Sequence, residues 1–405
     1  MGSISAREVS HPLCEGVNLM DPDFHKAPFE TYRWMRNNAP LYFDDSAPVF
    51  GSQGAWGAST YRLIRHISTQ HEIFSSASGS RPDAPPVPSM INKDDPEHLH
   101  RRSINRSRFT PRAIKTYEPY IRAVVTELIN EALEKKHCDL VRDLAMPLPM
   151  RVIGHMMNLP KGDYGKLLEW SDLIATGLAN MPADFERKVL AAAAEFEAYI
   201  LKWFKKLEKS PGNDILSAIV HAKVGNRMLP DKDKVHEALL LLVGGDETTR
   251  HVISGGIVAL LENRQQYDKL RGNLACLDSA VEEMLRWVTP VKTLARTVVQ
   301  NIKLEGQHLK AGDKVILLFE SGNRDENHFK NPDEFDILRN PNRHLSFGGY
   351  GRHHCLGAHL ARLEIRVMLE EILHRMPNIE IDSSSPLSKR LGTFVLGLEK
   401  VDIRF

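Results

Sequence analysis

Cysteine is scarce in this chain. Cys14, Cys138, Cys276 and Cys355 are its only four thiols in 405 residues, and no two form a CxxC pair. That is too few and too dispersed for a disulfide scaffold, and it suits a reducing, cytoplasmic setting. An excess of one charge is also lacking: 53 Lys and Arg stand against 52 Asp and Glu, for a net charge of +1. Such a balance gives no reason to expect binding to nucleic acid or to an anionic membrane. Long hydrophobic runs are missing too. A membrane-spanning helix needs about 18 or more apolar residues, and stretches such as 238–243 fall far short. The opening MGSISAREVS has no apolar signal-peptide core. With 42% hydrophobic and 26% charged residues the composition is that of an ordinary globular protein with a sizeable core.

What is present reads mostly as helix. In 184–208, Phe185, Val189, Phe196, Ile200, Trp203 and Leu207 recur near the 3.6 period with charges between them. Residues 116–135 behave alike, as does the stretch after Cys355, where Leu356, Leu360, Leu363 and Val367 share a face. Residues 233–262 form a long helix whose first half is apolar nearly all round, so it is buried. Strand-like stretches are few and late, at about 292–300, 314–319 and 391–403. The loop 81–90, with Pro82, Pro85, Pro86 and Pro88, cannot be helical and is placed to cover something. No linker or repeat divides the chain. The expected architecture is mainly α with a small β region, a single large domain over 1–405.

Two constellations carry chemistry. The first is HLSFGGYGRHHCLGAHLARLE, residues 344–364, a glycine-rich loop ending in Cys355 just before a helix. Its glycines permit close approach to a flat object or an ion. The N–H groups and dipole of the helix favour a thiolate there, and a lone thiolate can be an axial ligand of haem iron. Three other readings stay open on these residues alone: a buried small hydrophobe, a zinc site from His353, Cys355 and His359, and a nucleophile beside His353 or His354.

The second is LLLLVGGDETTRH, residues 239–251. Two adjacent glycines weaken a well-made helix by about 1 kcal/mol each. They mark either close helix packing or a helix opened over a ligand. Thr248 stands four residues after Gly244, so its hydroxyl can bond the Gly244 carbonyl and bend the helix. Asp246, Glu247 and Thr248 then bring protons to a site in an apolar wall.

Taken together and in this order, the motifs resemble the cytochrome P-450 superfamily of haem-thiolate monooxygenases over nearly the whole chain. GGDETT (244–249) matches its oxygen-activating helix, here about 233–262. EEMLR holds the Glu-x-x-Arg pair Glu283 and Arg286, and the haem-cysteine loop is 344–357. The resemblance implies haem b (iron protoporphyrin IX) with Cys355 as iron ligand and Gly244 against the cofactor. Glu247 and Thr248 become the proton-delivering pair. His98, Arg102, Arg296 and His353 become propionate contacts, and Glu283, Arg286 and Arg339 a structural network. One departure is the FGGxGxHxC loop, with Phe347 eight residues before the cysteine and an extra glycine at 348.

Within the superfamily the chain is most similar to actinobacterial hydroxylases of the steroid side-chain terminal methyl, with cholesterol or cholest-4-en-3-one as substrate. RPDAPPVPSMINKDDPEHLHRR, GGDETTRHVISGG and FVLGLE carry that likeness. An apolar wall of Leu240, Val243, Val291, Leu294, Phe394 and Val395 agrees with it. A terpenoid or branched fatty lipid is the alternative substrate. The Glu247–Thr248 pair argues against a non-catalytic haem sensor or carrier and against a peroxygenase. The resemblance also implies electrons from a ferredoxin and its reductase, since the chain has no room for a fused reductase.

Overall fold

The computed structural model describes residues 17–47, 49–176, 183–390 and 392–405. Cys14 and the amino-terminal decapeptide lie outside them. Eight helices frame the interior: α1 Glu97–Arg106, α2 Glu118–Lys135, α3 Pro147–Met156, α4 Tyr164–Thr176, α5 Ala183–Lys209, α6 Asp231–Glu262, α7 Leu277–Val288 and α8 Ala358–Arg375. The spans read from periodicity fall on α2, α5, α6 and α8. On α5 the buried stripe is Phe196, Ile200, Phe204 and Leu207, the three- and four-residue spacing of an amphipathic face. No helix among the described residues is long and apolar enough to cross a membrane.

Helix α6 is the axle. It packs against α3, α4, α7 and α8, and acidic Asp231 and Asp233 suit the positive end of its dipole in the first turn. The helix runs on through both glycines, and the two play different parts. A Cβ on Gly245 would meet Ile153 Cγ1 of α3 at 2.9 Å, so this glycine serves close packing. A Cβ on Gly244 would meet nothing within 4 Å, so this one faces open space.

The β region departs from the expectation that strands come late. A five-stranded sheet has the order β1-β2-β5-β4-β3, with β1 Leu41–Asp44, β2 Ala55–Ala58, β3 Phe74–Ser75, β4 Thr293–Val298 and β5 Lys314–Leu318. The pair β5/β2 is parallel and the other neighbours are antiparallel. The early strands are short, and Ala-Trp-Gly-Ala in β2 is buried throughout, so neither alternation nor β-propensity betrays it. The stretch 391–403 is likewise not one strand. β6 Ser388–Lys389 pairs with β7 Leu398–Lys400, Asp402–Arg404 joins a second sheet, and the segment between β6 and β7 turns back toward the interior. Gly397 permits that turn, because a Cβ there would lie 2.0 Å from His251 Nδ1.

Candidate functional site: a cysteine loop and the axle helix

The Cys355 N–H donates to Phe347 O at 2.9 Å, and the Gly348 N–H donates to Leu345 O at 2.8 Å, which folds 344–357 tightly on itself. Gly348 and Gly349 take φ of +94° and +71°, where a side chain would be strained. A Cβ on Gly351 would stand 1.8 Å from Ser68 O, so the loop rests directly on the helix Tyr61–Thr69. Helix α8 starts three residues after Cys355, and the Gly357 N–H bonds the sulfur. Burial pushes the Cys355 thiol up; that N–H, Arg102 and Arg362 pull the other way. Cys355 lies deep inside the protein, yet its side chain is reachable from solvent, so it faces an internal cleft rather than packed neighbours.

A second partly open strip lies on α6. Leu240, Val243, Gly244 and Thr248 are partly open although the helix is central, while Leu241, Leu242, Asp246 and Glu247 are buried. The Thr248 hydroxyl donates to Gly244 O at 3.3 Å, leaving its oxygen lone pairs for a neighbour in the cleft. Asp246 does not join Thr248. Two residues from Gly244, it lies on nearly the opposite face of the helix, fully buried near Glu364 of α8. Burial first, and then the charges of Glu247 and Asp172, push the Asp246 carboxyl up to about 7.

Glu247 is buried and held by cations. Its carboxylate accepts from Arg250 Nη2 at 2.6 Å and Arg390 Nη1 at 3.1 Å, and His251 Nε2 stands 3.7 Å away. Asp172 of α4 takes the same two arginines, at 2.6 Å and 2.5 Å.

A third cluster lies beside the loop. His98 and His353 have ring centroids 4.2 Å apart, and Arg102 donates to His354 O at 2.7 Å. Arg296 is buried, its hydrogen bond goes to the neighbouring Ala295 carbonyl, and burial lowers its pKa to about 10. Burial and the charges of Arg296, His98 and Arg102 hold His353 down to about 2. Among the described residues neither Arg102 nor Arg296 has a carboxylate at ion-pair distance. Asp95 partners His98 at 3.0 Å. Two guanidiniums without a paired carboxylate, one buried and one half-buried beside the cysteine loop, fit a flat cofactor that brings two carboxylates, as haem does. Zinc does not fit. Among the described residues no three His, Cys, Asp or Glu gather as ligands.

Of the six expected wall residues, the fold brings Val291, Phe394 and Val395 together from two segments. Val291 and Val395 form an isolated antiparallel bridge, Lys292 N–H donates to Phe394 O at 2.8 Å and Leu396 N–H to Pro290 O at 3.0 Å. Leu294 sits in β4 just beyond. From the proline-rich loop, Arg81 lays its guanidinium over the Phe394 ring at 4.2 Å. The buried Lys292 turns away and pairs with Glu320.

Glu283 and Arg286 pair at 2.7 Å, both fully buried, and Arg339 Nε reaches Glu283 at 3.1 Å.

Several participants escaped the sequence reading. Arg101, next to Arg102, points elsewhere on α1. It donates to Pro88 O at 2.8 Å and pairs with Asp233 and Glu237, tying the proline-rich loop to α6. Arg362 lies over the Phe347 ring at 4.5 Å and is fixed by Glu282 at 2.5 Å. Burial opposes the ionised form of Glu282, but Arg362 and His344 outweigh it and hold the pKa down to about 2. The place of Arg362 seven residues after Cys355, on the loop-facing side of α8, was the available signal. Arg250 stood in the quoted string three residues after Glu247, a spacing that pairs on a helix; Asp172 and Arg390 gave no signal, because each stands alone in sequence.

The family model described as Cytochrome P450 matches residues 117–398. A steroid C26-monooxygenase of Mycobacterium tuberculosis is 41% identical over 96% of this chain and 97% of its own length. A methyl-branched lipid omega-hydroxylase of Mycobacterium bovis is 34% identical over 95% and 92%. Among solved structures, a Bacillus megaterium cytochrome in complex with testosterone superposes with a TM-score of 0.86 at 34% identity, covering 95% of this chain and 99% of that one.

Proposed function

The chain belongs to the cytochrome P450 family of haem-thiolate monooxygenases, and we propose that its substrate is a steroid, cholesterol or cholest-4-en-3-one, oxidised at the terminal methyl of the side chain. The observation that carries this reading is the Val291–Val395 bridge, which brings apolar residues of two distant segments together, alongside the partly open apolar Leu240 and Val243 of α6. A sterol side chain is apolar along its whole length, and burying it gains roughly 25 cal/mol per Å² only against an apolar wall. The steroid C26-monooxygenase name of the mycobacterial relative supports the same substrate.

Haem, when bound, supplies dioxygen activation and C–H oxidation with electron donation from the thiolate. In our reading Cys355 ligates the iron, with its charge supported by the Gly357 N–H, Arg102 and Arg362. Arg102, Arg296, His98 and His353 would hold the propionates. Gly244 would leave room for the cofactor, since a Cβ there meets nothing within 4 Å. Thr248 would hold a proton at its hydroxyl and pass it on, and Glu247 would be its source. The wall residues exclude water and aim the methyl. We assign electron supply to a ferredoxin and its reductase; exposed Arg65 and Arg352 beside the loop suit an acidic carrier.

Spectral titration tests the substrate. Cholest-4-en-3-one is expected to shift the iron from low to high spin at micromolar concentration, and a monoterpene alcohol is not. Tight binding and turnover of the monoterpene without a shift from the sterone would sink the steroid reading. A methyl-branched fatty acid belongs in the same panel, because the Mycobacterium bovis relative carries that name and the wall would accept it.

Thr248→Ala is expected to leave sterone affinity nearly unchanged while diverting electrons to hydrogen peroxide. Positioned proton-transfer groups contribute ~10²–10⁴-fold, so coupling should fall severely. Lost binding with intact coupling would refute the role given to Thr248.

A further inference from the structure

Arg81 lays a charge on apolar residues of the wall. Its guanidinium covers the Phe394 ring at 4.2 Å. The Ala295 N–H donates to Ser80 O at 2.7 Å, which sets the start of the proline-rich loop beside β4 and Leu294. Three segments of the chain meet at this side chain. Arg81 opens the proline-rich loop, its Nη2 donates to Ala175 O at 3.4 Å in the last turn of α4, and Phe394 belongs to the 392–396 turn. Beyond it the loop comes to the surface, with Pro85, Pro86 and Val87 exposed. Arg81 therefore marks the outer margin of the wall, its side chain 22% accessible.

The position is tightly held. Buried Asn92 accepts from the Ser80 N–H at 2.8 Å and donates to Val87 O at 3.2 Å, so it spans the loop from inside. The Phe50 N–H donates to Pro82 O at 3.1 Å. Asp83 is buried, and its two oxygens accept from Arg81 Nε at 2.9 Å and Nη2 at 2.8 Å. Such a bidentate contact fixes the plane of a guanidinium as well as balancing its charge. Nη1, on the opposite edge of the fork, is left over: among the described residues it donates to nothing. What remains is an oriented donor whose charge a neighbour already offsets.

A sterol or sterone brings a single oxygen, on C3, at the end of the molecule farthest from the side-chain methyl. With the methyl directed inward, that oxygen is carried toward the outer margin of the wall. An acceptor buried there without a donor would weaken binding. We propose that Arg81 is a specificity-determining residue: its Nη1 donates to the C3 oxygen, and Asp83 reserves the position for a neutral oxygen against a sulfate or carboxylate. An anion would gain Arg81 but meet the charge of Asp83, which is the repulsive half of the discrimination. The proposal rests on the reading of the substrate as a steroid and adds the recognition of its far end. It also separates a sterone from a fatty acid, whose carboxylate would fall at the same margin.

The test is a spin-state titration of the haem-loaded enzyme with three ligands: cholest-4-en-3-one, 5α-cholestane, which has the same carbon skeleton and no oxygen, and cholesterol sulfate. On the unmodified enzyme the sterone is expected to bind roughly ten- to a hundred-fold more tightly than cholestane, the range for a hydrogen bond from a charged donor. Arg81→Leu should erase that difference, weakening the sterone and leaving cholestane nearly unchanged. Asp83→Asn should strengthen cholesterol sulfate several-fold, with the sterone little altered. If Arg81 merely braces the loop, Arg81→Leu will weaken both ligands alike, and the proposal fails. Equal binding of sterone and cholestane to the unmodified enzyme overturns it without any variant, as does unchanged sulfate binding in Asp83→Asn. Should Arg81→Leu not accumulate, those two comparisons still decide. If the sterone gives no spin shift at all, the steroid reading falls and the role of Arg81 with it; a sterone shift that does not depend on the oxygen sinks only the role of Arg81.

Discussion

Cys355→His is expected to abolish the reduced carbon-monoxide absorption band from which the family takes its name, with activity lost alongside it. The band depends on a thiolate ligand, and Cys355 is the one cysteine among the described residues set into the tight loop with an N–H aimed at its sulfur. Cys138 is buried in a strand opposite Ile403, and burial above all pushes its thiol up to about 12. Cys276 lies on a short surface turn before α7. Cys138→Ala and Cys276→Ser are therefore expected to keep the band. Histidine could still hold iron, so the informative measurement is the carbon-monoxide spectrum and not haem content. A Cys355→His protein that keeps the band would remove the thiolate assignment.

The long amphipathic helices were legible because they bury one stripe while exposing the rest, and α6 because its apolar run marks it as buried. Phe196, Ile200 and Leu207 announce α5 without any knowledge of its partners. The strands were harder. β1 and β2 are four residues each; β1 pairs only with β2, and β2 joins the sheet through β5, more than 250 residues away, so the buried β2 shows little local pattern. The double glycine was legible only as an ambiguity. Close packing holds at Gly245 against Ile153, while Gly244 faces open space in a helix that stays unbroken through both glycines.

The candidate site divides along the same line. Gly244, Thr248 and Cys355 lie in continuous strings whose chemistry can be read locally. Asp246 looked like a third proton donor because adjacency in sequence conceals the turn of about 100° between helical neighbours; the fold sends it toward Glu364 instead. Asp172 and Arg390 act on Glu247 from 75 residues before it and 143 after it, and single charges at such distances carry no pattern at all.

Glu283→Gln is expected to be the most damaging substitution outside the loop itself. Glu283 and Arg286 have no solvent exposure, and every strong donor around them is committed. The Glu283 carboxylate accepts from Arg286 at 2.8 and 2.7 Å, Arg339 at 3.1 Å, Asn342 at 3.0 Å and the Asp336 N–H at 2.8 Å. Arg286 in turn donates to the carbonyls of Asn323, Pro332 and Glu334 at 2.8–3.0 Å. Asn323 passes the constraint on, since its amide bonds Ser346 Oγ at 3.0 Å and the Leu345 N–H at 2.7 Å inside the cysteine loop. Glutamine keeps the shape but strips the charge that two buried arginines face. Breaking a buried pair in this way costs about 3–5 kcal/mol, a large part of the roughly 5–15 kcal/mol that holds a typical domain. The expected result is a sharply lower denaturation midpoint and haem lost from whatever protein accumulates. Replacing both partners with leucine removes the unpaired charge, and for many buried pairs that restores stability. Here it should not, because the carbonyls of Asn323, Pro332 and Glu334 would be left without a donor in the interior. Recovery of the midpoint in the double leucine variant would show that the pair acts only through its charge, and that the cysteine loop does not depend on the hydrogen bonds Arg286 makes.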